Sequence, residues 1–465
     1  MYTSICSRVL LVAIGAIQTA AQGIGTADSH PSFPTQKCTN AGGCVTQQTS
    51  LVLDAGFREL RSSDGTSCGG GGAGAAALNA TLCPDGATCA HNCVLDGADY
   101  AGSGVAANGS SVTLSQYMVR NGSVASVSPK VYLLDAKAPP NATVATGAGG
   151  KKRRSPASRR QQRDVSGEEH SGDGGDKYAL LYLKNQEISF DVDVSKLPCG
   201  MNGALYLAEM NATGARSALN PAGAAYGTGY CDSQCPVLPF LNGVANTDAR
   251  GACCTEMDLW EANSLANAFT GHTCTKDGVY GCKDGECGSL GVCDKSGCGY
   301  NTYSLGNKTF YGPSRNNTID TTRPFTVTTQ FLTQYGKPDN ILNEIRRVYT
   351  QDGRVIENAA INSSYYAPGN SIIMAHCQAY SSTFENLGGL KQMGRALDRG
   401  MVLVMSLWND KRQFMNWLDS GDAGPCSRTE GDPKVIMERS QDTRVVFGNV
   451  RWGDVGTTYN IGNAL

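Results

Sequence analysis

Three carboxylates fall within six residues at Thr255-Glu256-Met257-Asp258-Leu259-Trp260-Glu261-Ala262-Asn263, with apolar residues among them and the cysteines Cys253 and Cys254 just upstream. Two carboxyl groups flanking a glycosidic bond are what acid-catalysed sugar hydrolysis requires: one donates a proton to the leaving oxygen and the other acts on the anomeric carbon. If the segment is a strand, side chains alternate, so Glu256, Asp258 and Trp260 share one face while Met257 and Leu259 enter the layer beneath. Strict alternation sends Glu261 to the wrong face. A bulge or bend after Trp260 returns it to the face of Glu256. Carboxyls about 5–5.5 Å apart then leave no room for an intervening water, so the attacking group is a carboxylate and configuration is retained. Asp258, lying between them, can hydrogen-bond the nucleophile and, by like-charge repulsion, help keep one member of the cluster protonated. A solvated strand edge or a calcium loop is the competing reading. A calcium loop would offer glycine turns and alternating Asp/Asn ligands, whereas Met257, Leu259 and Trp260 are poor loop residues.

The elements that must carry this cluster read as strands. The chain holds 57 glycines in 465 residues, and period-two runs such as Glu187 to Val194 and Thr326 to Phe331 lie between Gly/Asn/Ser turns. That pattern argues for an antiparallel all-β domain. Helices are few, and Gly388 to Leu397 is the best short candidate. One domain of over 400 residues is large, but β-sandwiches with long functional loops reach that size.

Composition bounds the setting. Residues 1–21 carry one positive charge (Arg8), an apolar run from Val9 to Ile17 and small residues at Ala20-Ala21, which reads as a cleaved signal peptide. No later run approaches the roughly 18 apolar residues of a membrane span, so an exported, soluble product is expected. Eight Asn-x-Ser/Thr sequons, at Asn79, Asn108, Asn121, Asn141, Asn211, Asn307, Asn316 and Asn362, fit a glycosylating secretory route. Of 19 cysteines, Cys6 lies in the leader, and an even number remains for an oxidising compartment. Connectivity cannot be read from spacing alone, and zinc is the rival reading of Cys282-x4-Cys287 and Cys293-x4-Cys298. Formal charge is −2, and nothing suggests nucleic acid as a partner. The one basic run, Lys151-Lys152-Arg153-Arg154 with Arg159, Arg160 and Arg163, sits in a Gly/Ser/Ala/Pro-rich stretch at about 137–176 that lacks apolar residues and should be disordered. It reads equally as a solvent loop, a processing site at the dibasic pairs, or retained intron sequence.

Glu256-Met257-Asp258-Leu259-Trp260-Glu261-Ala262-Asn263-Ser264 resembles the signature of glycoside hydrolase family 7, the fungal cellulases. The resemblance runs from about Cys38 to Thr458 and includes Ser189-Phe190-Asp191-Val192-Asp193, Leu197-Pro198-Cys199-Gly200, Gly227-Thr228-Gly229-Tyr230-Cys231-Asp232-Ser233-Gln234-Cys235-Pro236 and Met401-Val402-Leu403-Val404-Met405-Ser406-Leu407-Trp408. It implies a concanavalin-like jelly-roll β-sandwich of two curved sheets with a concave substrate cleft, with Glu256 as nucleophile, Glu261 as acid/base and Asp258 in support. It implies nine disulfides: Cys38 to Cys44, Cys68 to Cys93, Cys83 to Cys89, Cys199 to Cys426, Cys231 to Cys254, Cys235 to Cys253, Cys274 to Cys293, Cys282 to Cys287 and Cys298 to Cys377. A complete pairing in an exported chain argues against metal; no cofactor is required, and a monomer is expected. The expected organisation is a single catalytic domain over 22–465 without a carbohydrate-binding module.

A β-1,4-glucan presents flat apolar faces and equatorial hydroxyls, so its site needs aromatic platforms with hydrogen-bonding groups between them. By resemblance Trp408 lies on the glycone side and Trp417 just past the scissile bond. Tyr206, Asn202, Tyr230, Asp232, Gln234 and His272 fall where the family has cleft residues. His272 reads equally as a structural histidine, and Trp452 as core packing. Lys130 replaces a cleft-floor arginine, keeping charge but losing bidentate hydrogen bonding. Six residues separate Asn246 from Cys253, five separate Cys287 from Cys293 and five separate Ser420 from Cys426. In tunnel-forming relatives these connections are much longer. Phe57 and Glu59 stand where those relatives have entrance tryptophans, and Ser304 and Pro425 where they have product-site arginines. The expectation is an open-cleft endo-β-1,4-glucanase acting on cellulose or soluble β-1,4-glucan chains. The alternatives are a processive cellobiohydrolase and a non-catalytic carbohydrate-binding protein.

Overall fold

The computed structural model describes residues 23–69, 77–120, 122–135, 175–362 and 368–459. The leader, most of the basic insertion and the sequons at Asn121 and Asn141 lie outside the described residues. Two antiparallel-dominated sheets face each other. The first runs Cys298–Asn301, Asn267–His272, Glu256–Ala262, Met201–Ala208, Met401–Asn409, Lys130–Leu134 and Ser50–Leu53. The second runs Arg354–Glu357, Leu342–Gln351, Phe325–Thr333, Gln186–Asp193, Arg444–Asp454, Thr35–Thr39 and Gly43–Gln47.

Alternation assigns the faces. On the Met201–Ala208 strand, Met201, Leu205 and Leu207 join the inter-sheet core with Ile188, Phe190, Val327 and Phe447 of the facing sheet. The intervening Asn202, Ala204, Tyr206 and Ala208 lie on the opposite, concave face. The same phase on Met401–Asn409 and Lys130–Leu134 puts Trp408, Val404, Lys130 and Tyr132 on that face, in register with one another. The period-two segments are thus strands, Gln186–Asp193 and Phe325–Thr333, and the expected helix is Gly389–Arg399. All nine implied disulfides are formed, which displaces the zinc reading.

The edges of the insertion meet. Leu134 bridges Tyr178, and the Asp135 N–H donates to the Lys177 carbonyl at 2.9 Å. The chain therefore leaves and re-enters the sheet at one point. Of the two flanking runs, Lys130–Leu134 is a full strand, whereas only Leu180–Leu181 of the second pairs with Met401–Asn409.

Candidate active site

The carboxylate strand carries one residue more than its neighbours. Tyr206 pairs with Asp258 and Leu205 with Trp260, leaving Leu259 without a partner. On the other side, two residues, Leu259 and Trp260, oppose Phe269 alone. The sequence reading puts the bend after Trp260; the structure puts the extra residue at Leu259. Trp260 consequently faces the core, fully buried and edge-on to Phe190, Tyr311 and Phe325, and does not share the face of Glu256 and Asp258. Burying a side chain of about 200 Å² contributes roughly 5 kcal/mol, more than a single bulge forfeits in ladder hydrogen bonds. The bulge returns Glu261 to the cleft face. There it pairs with Ala204 while Glu256 pairs with Ala208, so the two Cα atoms stand roughly 13 Å apart along the strand with Asp258 between them.

Each carboxyl is held by different donors. Glu256 Oε2 accepts from the Ser233 N–H at 3.0 Å and the Ser233 hydroxyl at 2.6 Å. Glu261 Oε1 accepts one amide bond, from Asn202 Nδ2 at 2.9 Å, and Asn202 Oδ1 in turn accepts from the Ala262 N–H. Asp258 Oδ2 lies 3.1 Å from His272 Nε2, and His272 Nδ1 bonds the Asp294 carbonyl at 2.8 Å. Ser233 and the Asp294 carbonyl were not singled out as functional in the sequence. Ser233 lies inside the quoted Cys231 to Cys235 run; the expected disulfides from Cys231 to Cys254 and Cys235 to Cys253 lash that loop to the start of the carboxylate strand, and only the fold shows that the serine then reaches Glu256.

Burial drives the electrostatics. It raises Glu261 to about 8, with Asp258 adding to the rise while His272 and Asn202 oppose it. Burial, then Asp258 and Asp232, push Glu256 well above the ordinary glutamate value, while His272 and Ser233 pull the other way. Burial alone would lower His272, but Asp258's hydrogen bond and charge, with Glu256, overturn that and raise it to about 10. The pairing with Asp258 thus favours the imidazolium form of His272 in the cleft. What separates the two glutamates is hydrogen bonding: two donors on one oxygen favour an anion at Glu256, while a single amide does less for Glu261.

The remaining expected residues are on the concave face or its rim. The Tyr206 and Tyr230 hydroxyls meet at 2.8 Å, Lys130 Nζ sits 3.5 Å above the Tyr230 ring, and burial raises Asp232 while Lys130 opposes it. A cavity of about 100 Å³ opens beside Lys130 and Tyr230, lined also by Asp54, Gly227, Leu238 and Phe240. Gln234 turns aside, its amide bonding the Lys295 carbonyl at 2.9 Å. Trp408 and Trp417 do not stand as separated platforms; their rings are 6.4 Å apart and tilted by 30°, one shelf beside Asn202, the cross-strand partner of Trp408. Trp452 packs against the core.

A β-sandwich whose concave face presents two differently held carboxyls, a third between them and an aromatic shelf is the apparatus of a glycoside hydrolase. The model of glycosyl hydrolase family 7 matches residues 22–142 and 161–459, and the chain belongs to that family. It is 46% identical over 467 residues to the endo-beta-1,4-glucanase celB of Emericella nidulans, covering 97% of this chain and 99% of that one. Among solved structures, an endoglucanase I complexed with cellobiose superposes with a TM-score of 0.80 at 42% identity, covering 94% of this chain and all of that one. A cellobiohydrolase from Melanocarpus albomyces complexed with cellotetraose gives a TM-score of 0.78 at 31% identity, covering 95% and 100%.

Proposed function

We propose that this family 7 hydrolase cuts β-1,4-glucan chains at internal bonds by double displacement, with Glu256 as nucleophile and Glu261 as acid/base. It is an endo-acting glucanase, the activity that its relatives' names carry. The observation that carries the mechanism is the pair of Ser233 donors on Glu256 Oε2, which leaves Oε1 free to attack. In the first step Oε1 bonds to C1 as the C1–O4 bond breaks, and the Glu261 proton passes to O4. In the second, Glu261 takes a proton from water, the oxygen of which attacks C1 and releases Glu256. Asp258, held by His272, lies between them, and its repulsion of a charge on Glu261 favours the proton there.

Trp408 and Trp417 form the sugar platform, with Asn202, Tyr206, Tyr230, Asp232 and Lys130 lining the path. Open action follows from the rim. The short Ser420 to Cys426 connection is closed by a β-bridge, and Trp417 remains 40% exposed, where a roof would cover it. Residues 22–465 act as one catalytic unit, exported after removal of the leader and working as a monomer on cellulose or soluble β-glucan. The test is viscosity loss against reducing-end release on carboxymethyl-cellulose. Wild type should drop viscosity with few new ends, and Glu256→Gln should lose turnover while binding cello-oligosaccharides within about tenfold. Slow viscosity loss with steady cellobiose release would contradict internal cleavage, and undiminished turnover in the variant would contradict the nucleophile.

A further inference from the structure

Arg347 lies in the middle of the inter-sheet core. It stands on Leu342–Gln351 of the second sheet, opposite Thr329, and is fully buried. No carboxylate meets its guanidinium among the described residues. The faces around it are aromatic instead: Phe269 at 4.3 Å from the guanidinium carbon, Trp260 at 5.7 Å and Tyr349 at 5.8 Å. Its Nε and Nη1 have no protein partner among the described residues. A buried cation without a counter-ion is among the most costly groups a core can hold. Cation–π contacts return only a small part of that cost. An apolar residue of similar volume would serve the sandwich better.

What Arg347 does touch is informative. Its Nη2 donates to the carbonyl of Leu259, the residue that both neighbouring strands leave unpaired. A bulge removes ladder partners from the extra residue, and a buried carbonyl left without a donor bears its full desolvation cost. The facing sheet therefore supplies through Arg347 the donor that the carboxylate strand's own neighbours cannot. The rings of Trp260 and Phe269, which flank the bulge on its own and the adjacent strand, hold the guanidinium in line.

We infer that Arg347 is a positioning residue for the hydrolysis: it fixes the Leu259 bulge from beneath and thereby sets the position of the Glu261 carboxyl, two residues further along. It touches neither substrate nor the reacting atoms. The inference rests on the assignment of Glu261 as acid/base. A purely structural role would slow all substrates alike. A role acting through Glu261 must instead depend on how much the leaving group needs a proton.

The experiment measures kcat/KM, which reports the first displacement, on aryl β-cellobiosides from 2,4-dinitrophenyl to phenyl, for wild type, Glu261→Ala, Arg347→Met and Arg347→Lys. Arg347→Met should lose about 100-fold on phenyl cellobioside, the scale of an ångström's misplacement, and no more than about threefold on the dinitrophenyl compound, which needs no acid. Arg347→Lys keeps a cation but not the planar fork, and should show the same split at about fivefold; it carries the test if the Met variant does not fold. Equal loss on both substrates, or no loss, in the folded variant would overturn the role of Arg347. If Glu261→Ala itself lost activity equally on both substrates, the acid/base assignment would fail instead.

Discussion

At the scale of single residues, the site trades stability for chemistry. Glu261 is raised to about 8 chiefly by burial, against an ordinary glutamate value near 4.3. The folded protein thus holds this proton more tightly than the unfolded chain does. The group's contribution to stability is complete below the unfolded value, falls as pH rises, and is fully lost above about 8, at no more than about 1.4 kcal/mol per pH unit. Glu261→Gln should therefore lower activity while flattening the decline in melting temperature between roughly pH 4.5 and 8, and an unchanged decline would contradict the raised value. The same proton predicts that kcat/KM falls as pH rises through about 8. The three carboxylates were legible in the sequence because their spacing states their chemistry. Ser233 was not, since a serine in a loop has no periodicity and acquires its role only when two disulfides bring it to Glu256. Arg347 was hidden for the opposite reason: in an alternating strand an arginine reads as a solvent-facing residue.

At the scale of elements, alternation gave the strands and the two faces but misplaced the bulge. Counting within one strand shows that a residue is extra; which one is extra depends on the register of both neighbours and on where Trp260 finds its burial. The adjoining Gly297 turn makes a sharper prediction. Its backbone lies at φ 69°, and a Cβ there would come within 2.6 Å of His272 Cε1, so only glycine lets the imidazole sit between Asp258 and the Asp294 carbonyl. Gly297→Ala should cost about 1–3 kcal/mol of stability and lower kcat more than it raises KM, as His272 and Asp258 shift. A variant with wild-type kcat would show that the Asp258–His272 pair is dispensable. Asp419 joins elements in a similar way: it accepts from the Gly200 N–H at 2.7 Å and Asn263 Nδ2 at 2.6 Å, tying the helix that carries Trp417 to the end of the carboxylate strand.

At the scale of the whole molecule, the family resemblance, the two-sheet sandwich and the disulfide framework agree, and the insertion is the one feature that stands outside them. The family model leaves 143–160 unmatched, and Asp135 and Lys177 already hydrogen-bond across the gap. Replacing residues 137–175 with a short Gly/Asn turn should leave activity intact and the melting temperature within about 2 °C, because closing a shorter loop costs little; a large loss would show that the insertion supports the cleft. The chemistry of the site converges on one bond, between Glu256 and C1 of the sugar. Incubation with 2,4-dinitrophenyl 2-deoxy-2-fluoro-β-cellobioside slows the second displacement and traps that bond, and peptide mass spectrometry locates it. One fluorocellobiosyl group per protein is expected, on the peptide and residue of Glu256. A label on Glu261 or Asp258, or inverted product with no label at all, would contradict it.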